Sequence, residues 1–166
     1  MCGYVWGKSN LRIEIPISNQ KERQTYYGAL DAHTQEFIVQ EQGAGNGENT
    51  VAFIKHLQQQ RPGRRLVLIW DRASYHKGEE MKALLADVNA GQDAGQWQVR
   101  CILFAPNAPE QNPVEDVWLQ AKSFIRKYWL LCKSFAVLKW LFKFFTNHQR
   151  FHFPKLEQYT NRSSLI

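Results

Sequence analysis

Five consecutive apolar residues, Leu66-Val67-Leu68-Ile69-Trp70, run between Arg64-Arg65 and Asp71. An unbroken apolar run bounded on both sides suits a central strand covered on both faces. The run ends abruptly in a carboxylate. A second apolar run, Val99 to Phe104, ends at Ala105-Pro106 and reads as another buried strand. Between the two, Glu79 to Val88 reads as a helix, with Glu79 and Glu80 at its electropositive start. Upstream, Gln24 to Ala32 and Glu36 to Gln40 read as partner strands around the turn Asp31-Ala32-His33-Thr34. Leu11 to Ile17 alternates apolar and polar residues, as a short strand does.

Helix signals fill the remainder. Asn49 or Thr50 can cap a helix reaching about Gln60, with Val51, Ile54 and Leu57 on its apolar side and Arg61-Pro62-Gly63 as its stop. Gln42 to Gly47 is a Gly-rich loop, but no Gly-Lys-Ser/Thr follows, so it does not cradle phosphate. Asn112 is an N-cap and Pro113 stands at the first helical position, where its missing N–H costs nothing. Val114, Val117, Trp118, Ala121, Phe124, Ile125 and Tyr128 then form one apolar stripe. Ser134 caps a last helix running through Phe145. This order of elements predicts a mixed α/β sheet with helices on both faces. Length predicts one domain over residues 1–166, with 131–166 as its basic helical C-terminal segment.

Charge narrows the partners. The net charge is +6, unevenly placed. Residues 1–120 carry 12 Lys/Arg and 14 Asp/Glu, whereas 121–166 carry 9 Lys/Arg and only Glu157. A basic surface at the C-terminal end points to a polyanion such as DNA, against the plainer reading of a solvated basic helix. Cys2, Cys101 and Cys132 have no metal-ligand spacing, and an odd count without a signal peptide predicts a reducing, cytoplasmic setting. The richest apolar stretch, Phe135 to Phe145, is interrupted by Lys139 and Lys143, so no membrane span is expected.

Two carboxylates stand out. Asp71 is either a strand-terminal Asp that starts a turn or a metal ligand at the carboxyl end of a strand, where functional groups gather in such sheets. Glu115 is either a capping-box glutamate answering Asn112 or a second ligand. Asp116 lies about 100° further round the helix and suits the helix dipole. The loop after Asp71, with Arg72, His76 and Lys77, is polar and basic, as a substrate-facing loop would be. His148 and His152 are four apart but lack the neighbouring Glu of the zinc-protease motif, and read as surface or phosphate-contacting residues.

Together these stretches resemble a known family. Leu-Val-Leu-Ile-Trp-Asp-Arg-Ala-Ser-Tyr-His-Lys, residues 66–77, resembles the second-aspartate motif of DDE transposases, in particular the bacterial insertion-sequence branch of the mariner superfamily. Residues 104–118, with Asn112-Pro113 and Glu115-Asp116-Val117-Trp118, resemble the stretch carrying that family's last acid. The resemblance implies a ribonuclease H-like fold and DNA strand cleavage and transfer at insertion-sequence ends. It implies a two-metal site for Mg²⁺ or Mn²⁺, with Asp71 and Glu115 as catalytic metal ligands. It implies DNA contacts from Arg72, His76, Lys77, Lys122, Arg126 and Lys127.

Two departures qualify it. The interval from Asp71 to Glu115 is longer than is usual in that family, and the polar loop Asn89 to Gln96 accounts for the surplus. The family's first Asp lies on a strand upstream of the segment resembling Val5-Trp6-Gly7, so the first strand and its acid are expected to be missing. Asp31, in a hairpin turn, is badly placed to replace that acid. The isolated chain is therefore expected to be inactive in Mg²⁺-dependent cleavage. It would work with an upstream-frame product or a full-length transposase, or else be an inactive remnant that binds DNA or such a transposase. A missing first strand also predicts an unpaired sheet edge beside Gln24–Ala32.

Overall fold

The computed structural model describes residues 22–157 apart from 72, 107 and 108. The expected strand at Leu11–Ile17 lies outside the described residues. The hairpin forms as expected: β1 (Thr25–Leu30) pairs antiparallel with β2 (Glu36–Gln42), in the register Gly28 opposite Val39 and Leu30 opposite Phe37. Asp31 builds the turn by accepting the His33 and Thr34 N–H groups at 2.9 and 3.1 Å, the side-chain bond that makes Asp a turn former.

Helix α1 (Gly47–Gln60) starts earlier than the cap signals at Asn49 or Thr50 predict. Asn46 is the N-cap, its Oδ1 accepting the Asn49 N–H at 2.8 Å. The reason lies outside the helix. The Tyr27 hydroxyl, from β1, bonds the Asn46 backbone and Thr50 Oγ1 at 3.1 Å, which holds the chain at Asn46 and occupies Thr50.

β3 (Leu66–Trp70) runs parallel to β4 (Val99–Leu103), and α2 (Glu79–Val88) crosses between them. The last two helices, α3 (Pro113–Lys127) and α4 (Phe135–Thr146), follow their predicted caps closely, and a two-residue strand, β5 (Gln149–Arg150), returns to pair with β2.

Among the described residues the strands form two sheets, β1-β2-β5 and β3-β4, rather than one. The expectation that Leu66–Trp70 is covered on both faces is met on one face only. One face of β3 packs on α1 and α2: Leu68 and Trp70 with Ile54, Met81, Leu84 and Val99, and Leu66 with Ile38, Phe53 and Leu57. The other carries Val67 and Ile69, which are 40% and 36% exposed. Among the described residues β1 stands at the edge of its sheet.

The second face of β1-β2 supports α3 and α4 around Phe37, Val39, Val117 and Phe151. Gly28 allows this approach. A Cβ there would come within 2.4 Å of the Phe37 ring and 2.6 Å of the Trp118 ring. The whole is a mixed α/β arrangement of the ribonuclease H-like kind, with α1 and α2 on one side and α3 and α4 on the other. No helix among the described residues is long and apolar enough to cross a membrane.

A charged tie closes the hairpin end. Arg61, just past α1, bonds Asp31 at 3.3 Å and Glu36 at 2.6 Å, and Glu36 also meets His148 Nδ1 at 2.5 Å. Partial burial pushes the Asp31 pKa up, but the Thr34 and His33 bonds, with Arg61, outweigh it and hold the group below its ordinary value. Glu36 is lowered chiefly by His148, then by Arg61. A carboxylate with a depressed folded pKa adds stability above its unfolded pKa, and that contribution is lost as pH falls through the folded value. Arg61→Ala will therefore lower the urea midpoint at neutral pH. The gap to the parent chain will shrink below about pH 4, the ordinary carboxylate range. A gap that persists unchanged in acid would show that Arg61 acts through packing instead.

Candidate active site

Asp71 follows the last ladder bond of β3, in which the Phe104 N–H donates to the Trp70 carbonyl at 2.8 Å. Its Oδ1 accepts the Ala73 N–H at 2.9 Å, a local turn that orients the side chain. His76 completes the setting. Its ring stacks on Trp70, 4.1 Å between centroids and 6° from parallel. Its Nδ1 lies 3.3 Å from the Asp71 carbonyl and 3.2 Å from Asp71 Oδ1. Both oxygens are acceptors, so Nδ1 carries the proton and donates. Burial pushes the His76 pKa down, against the pull of Asp71, which keeps the imidazole neutral near pH 7. His76 thus packs in the loop and positions Asp71, whose side chain stays 65% exposed. Lys77 is exposed at the end of the short turn Ser74–Lys77, and Arg72 lies outside the described residues.

Glu115 sits in the first turn of α3. Asn112 Oδ1 accepts the Val114 N–H at 3.1 Å, so the cap is in place. Glu115 does not return the favour: its exposed carboxylate has no hydrogen bond or ion pair among the described residues. The capping-box reading therefore fails in its reciprocal half, and the group is uncommitted. Asp116 turns aside into an ion pair with Lys155, whose Nζ also donates to the Glu110 carbonyl at 3.0 Å. Sequence reasoning missed Lys155. It clamps the start of α3 from 39 positions downstream of Asp116, and nothing local to either residue signals the pairing.

At roughly 100° per residue, Glu115, Leu119, Lys122 and Arg126 fall on one stripe of α3. All four are exposed. Lys127 lies about a third of a turn away, its Nζ 5.6 Å from the centre of the Tyr128 ring. His148 and His152 are not on a helix, since α4 ends at Thr146. They contact Glu36 and Gln35.

Carboxylates suit hard divalent cations, which take oxygen ligands. Their number here is short. Among the described residues no three His, Cys, Asp or Glu side chains come together as metal ligands. Asp31 is not a spare donor, because the turn and Arg61 already hold it. The donor chemistry of Asp71 and Glu115 fits a cation such as Mg²⁺, but among the described residues the donor count does not.

The family model for DDE superfamily endonucleases matches residues 2–134. That span contains both Asp71 and Glu115, with the strand end and helix start that hold them. The chain belongs to the DDE superfamily endonucleases. No curated protein matches it. DDE superfamily endonucleases act on DNA and generally use divalent metals, so DNA is the partner class and an acidic metal site is the chemistry to seek. In this DDE endonuclease the matched region ends soon after α3. Helix α4 and β5 lie beyond it; α4 reaches the matched core through Phe142 and Phe145, and Phe151 follows β5 into the same cluster.

Proposed function

We propose that this DDE endonuclease is the catalytic region of an insertion-sequence transposase, one that cleaves and joins DNA strands at the ends of a mobile element in the presence of Mg²⁺ or Mn²⁺. Asp71 and Glu115 are the proposed ligands. Arg72 and Lys77, which follow β3, and Lys122, Arg126 and Lys127 on α3 are the proposed DNA contacts, with transposon ends and target as the substrate; His76, expected among them, instead serves to position Asp71. The observation that carries the reading is Glu115, a carboxylate without a partner among the described residues at a helix start whose cap and clamp are both otherwise complete. A structural glutamate there would be engaged with the cap.

A second reading is a module that binds DNA, or a full-length transposase, without chemistry. The lack of a three-ligand group among the described residues favours it, since Mg²⁺ demands near-octahedral geometry and is poorly held by a partial set. The two readings separate by Mn²⁺ titration with amide NMR. If the carboxylates act together, paramagnetic broadening will appear around both 71 and 115. Either Asp71→Asn or Glu115→Gln will then remove it from both places. Plasmid nicking that depends on the same two side chains completes the catalytic reading. Broadening at neither place, with duplex binding intact in both variants, leaves the binding module.

A further inference from the structure

We infer that Lys155 is a positioning residue for the candidate site: by holding Asp116 it leaves Glu115, of two adjacent acids, as the one offered to a cation. This role rests on the proposed reading of Glu115 as a metal ligand. Lys155 lies in the short turn Pro154–Leu156, beyond the residues matched to the family. Its backbone is anchored on both sides. Phe153 packs on the cluster of Phe37, Val39, Val117 and Phe151, and Leu156 is buried. The Leu156 N–H donates to the Phe153 carbonyl at 2.9 Å and closes the turn. From this base the half-buried side chain reaches the start of α3. Its Nζ pairs with the Asp116 carboxylate and donates to the Glu110 carbonyl at 3.0 Å. Glu110 belongs to the turn Pro109–Gln111 ahead of the helix, and Asp116 to the first turn of the helix itself. One ammonium thus ties the approach to α3 and its first turn together across the Asn112 cap.

A cation is disfavoured beside a helix N-terminus, where the dipole is positive. Lys155 therefore does not cap α3, and its place there is explained by the two oxygens it binds. Glu115 and Asp116 point about 100° apart around the helix. Hard cations take either carboxylate, so the acid left free is the one that serves. A charge-assisted bond to a half-buried ammonium occupies Asp116 and cancels its charge. The tie to Glu110 resists a roll of the first turn that would exchange the two acids. Glu115 stays exposed, with no hydrogen bond or ion pair among the described residues. Val114, in the same helical turn, packs on the cluster that anchors Phe153, so the clamp and the helix share one core.

Lys155→Met keeps the apolar stem and removes the charge, whereas Lys155→Arg keeps both charge and donors. Without metal, Lys155→Met is expected to speed amide exchange at Val117 and Trp118 by about threefold or more. Those amides close the first turn of α3. Ile125, further along the helix, stays unchanged, and Lys155→Arg keeps the parent rates. Mn²⁺ is then the probe, read as paramagnetic broadening of the amide at 71. In the parent chain Glu115→Gln removes the broadening. In the Lys155→Met chain Glu115→Gln leaves it, because the released Asp116 takes the ion, and adding Asp116→Asn removes it. If Lys155→Met unfolds by circular dichroism, Lys155→Gln takes its place, removing the charge but keeping an N–H donor. Loss of broadening with Glu115→Gln in both backgrounds overturns the role of Lys155 and leaves the metal reading standing. Unchanged exchange in Lys155→Met overturns the clamp itself. No broadening at 71 in the parent chain overturns the metal reading, and the choice between the two acids with it.

Discussion

Replacing Lys122, Arg126 and Lys127 together with Ala will flatten the salt dependence of duplex binding by about three units of log–log slope. Each phosphate neutralised by a Lys or Arg releases condensed counterions, and each lost contact removes close to one unit. The three side chains are exposed near the end of α3, and none of the three makes an ion pair among the described residues. Their charges are therefore free for phosphate. Lys139 and Lys143 are different: both are spent on Glu41 of β2, at 3.0 and 3.6 Å. Replacing those two should cost stability more than slope. The measurement is binding of a fluorescent duplex by anisotropy across a series of salt concentrations. An unchanged slope in the triple variant would place the DNA surface elsewhere.

Phe37→Ala will cost about 3–5 kcal/mol of folding stability, in the range for deleting a buried aromatic side chain. Phe37 is fully buried. Its ring stands edge-on to Trp118 at 5.1 Å and to Phe151 at 5.9 Å, joining β2 to α3 and to the chain beyond β5. Its carbonyl also accepts the His148 N–H. A domain of this size has roughly 5–15 kcal/mol in all, so the variant will sit near its unfolding threshold at room temperature. Because Trp118 lies one turn beyond Glu115 on α3, the same deletion loosens the helix that carries the candidate ligand. Urea unfolding followed by tryptophan fluorescence reads the first effect. A loss below about 1 kcal/mol, the typical cost of any substitution, would mean that the cavity collapses and that the aromatic joint is not what seats α3.

Features with local causes could be read directly from the order of residues. Glu79–Val88 and the Asn112–Pro113 start of α3 were legible because caps, first-turn charges and apolar spacing act within a few residues. The same holds for Ser134 at the start of α4, whose Oγ accepts the Val137 N–H at 3.3 Å. Asp71 at a strand end and Glu115 in a first helical turn belong to this group, and so does the Asp31 turn. Tertiary structure decided what depends on distant partners. Tyr27 moved the start of α1 to Asn46, and Lys155 drew Asp116 away from the site and left Glu115 uncommitted. Trp70 took His76 onto its face and so set the direction of Asp71. The open side of β3 is the clearest case. An apolar run states that both faces of a strand avoid water, but only the packing of other elements on the sheet decides whether each face is covered. Here α1 and α2 cover the face of Leu66, Leu68 and Trp70, while Val67 and Ile69 on the other face stay 40% and 36% exposed.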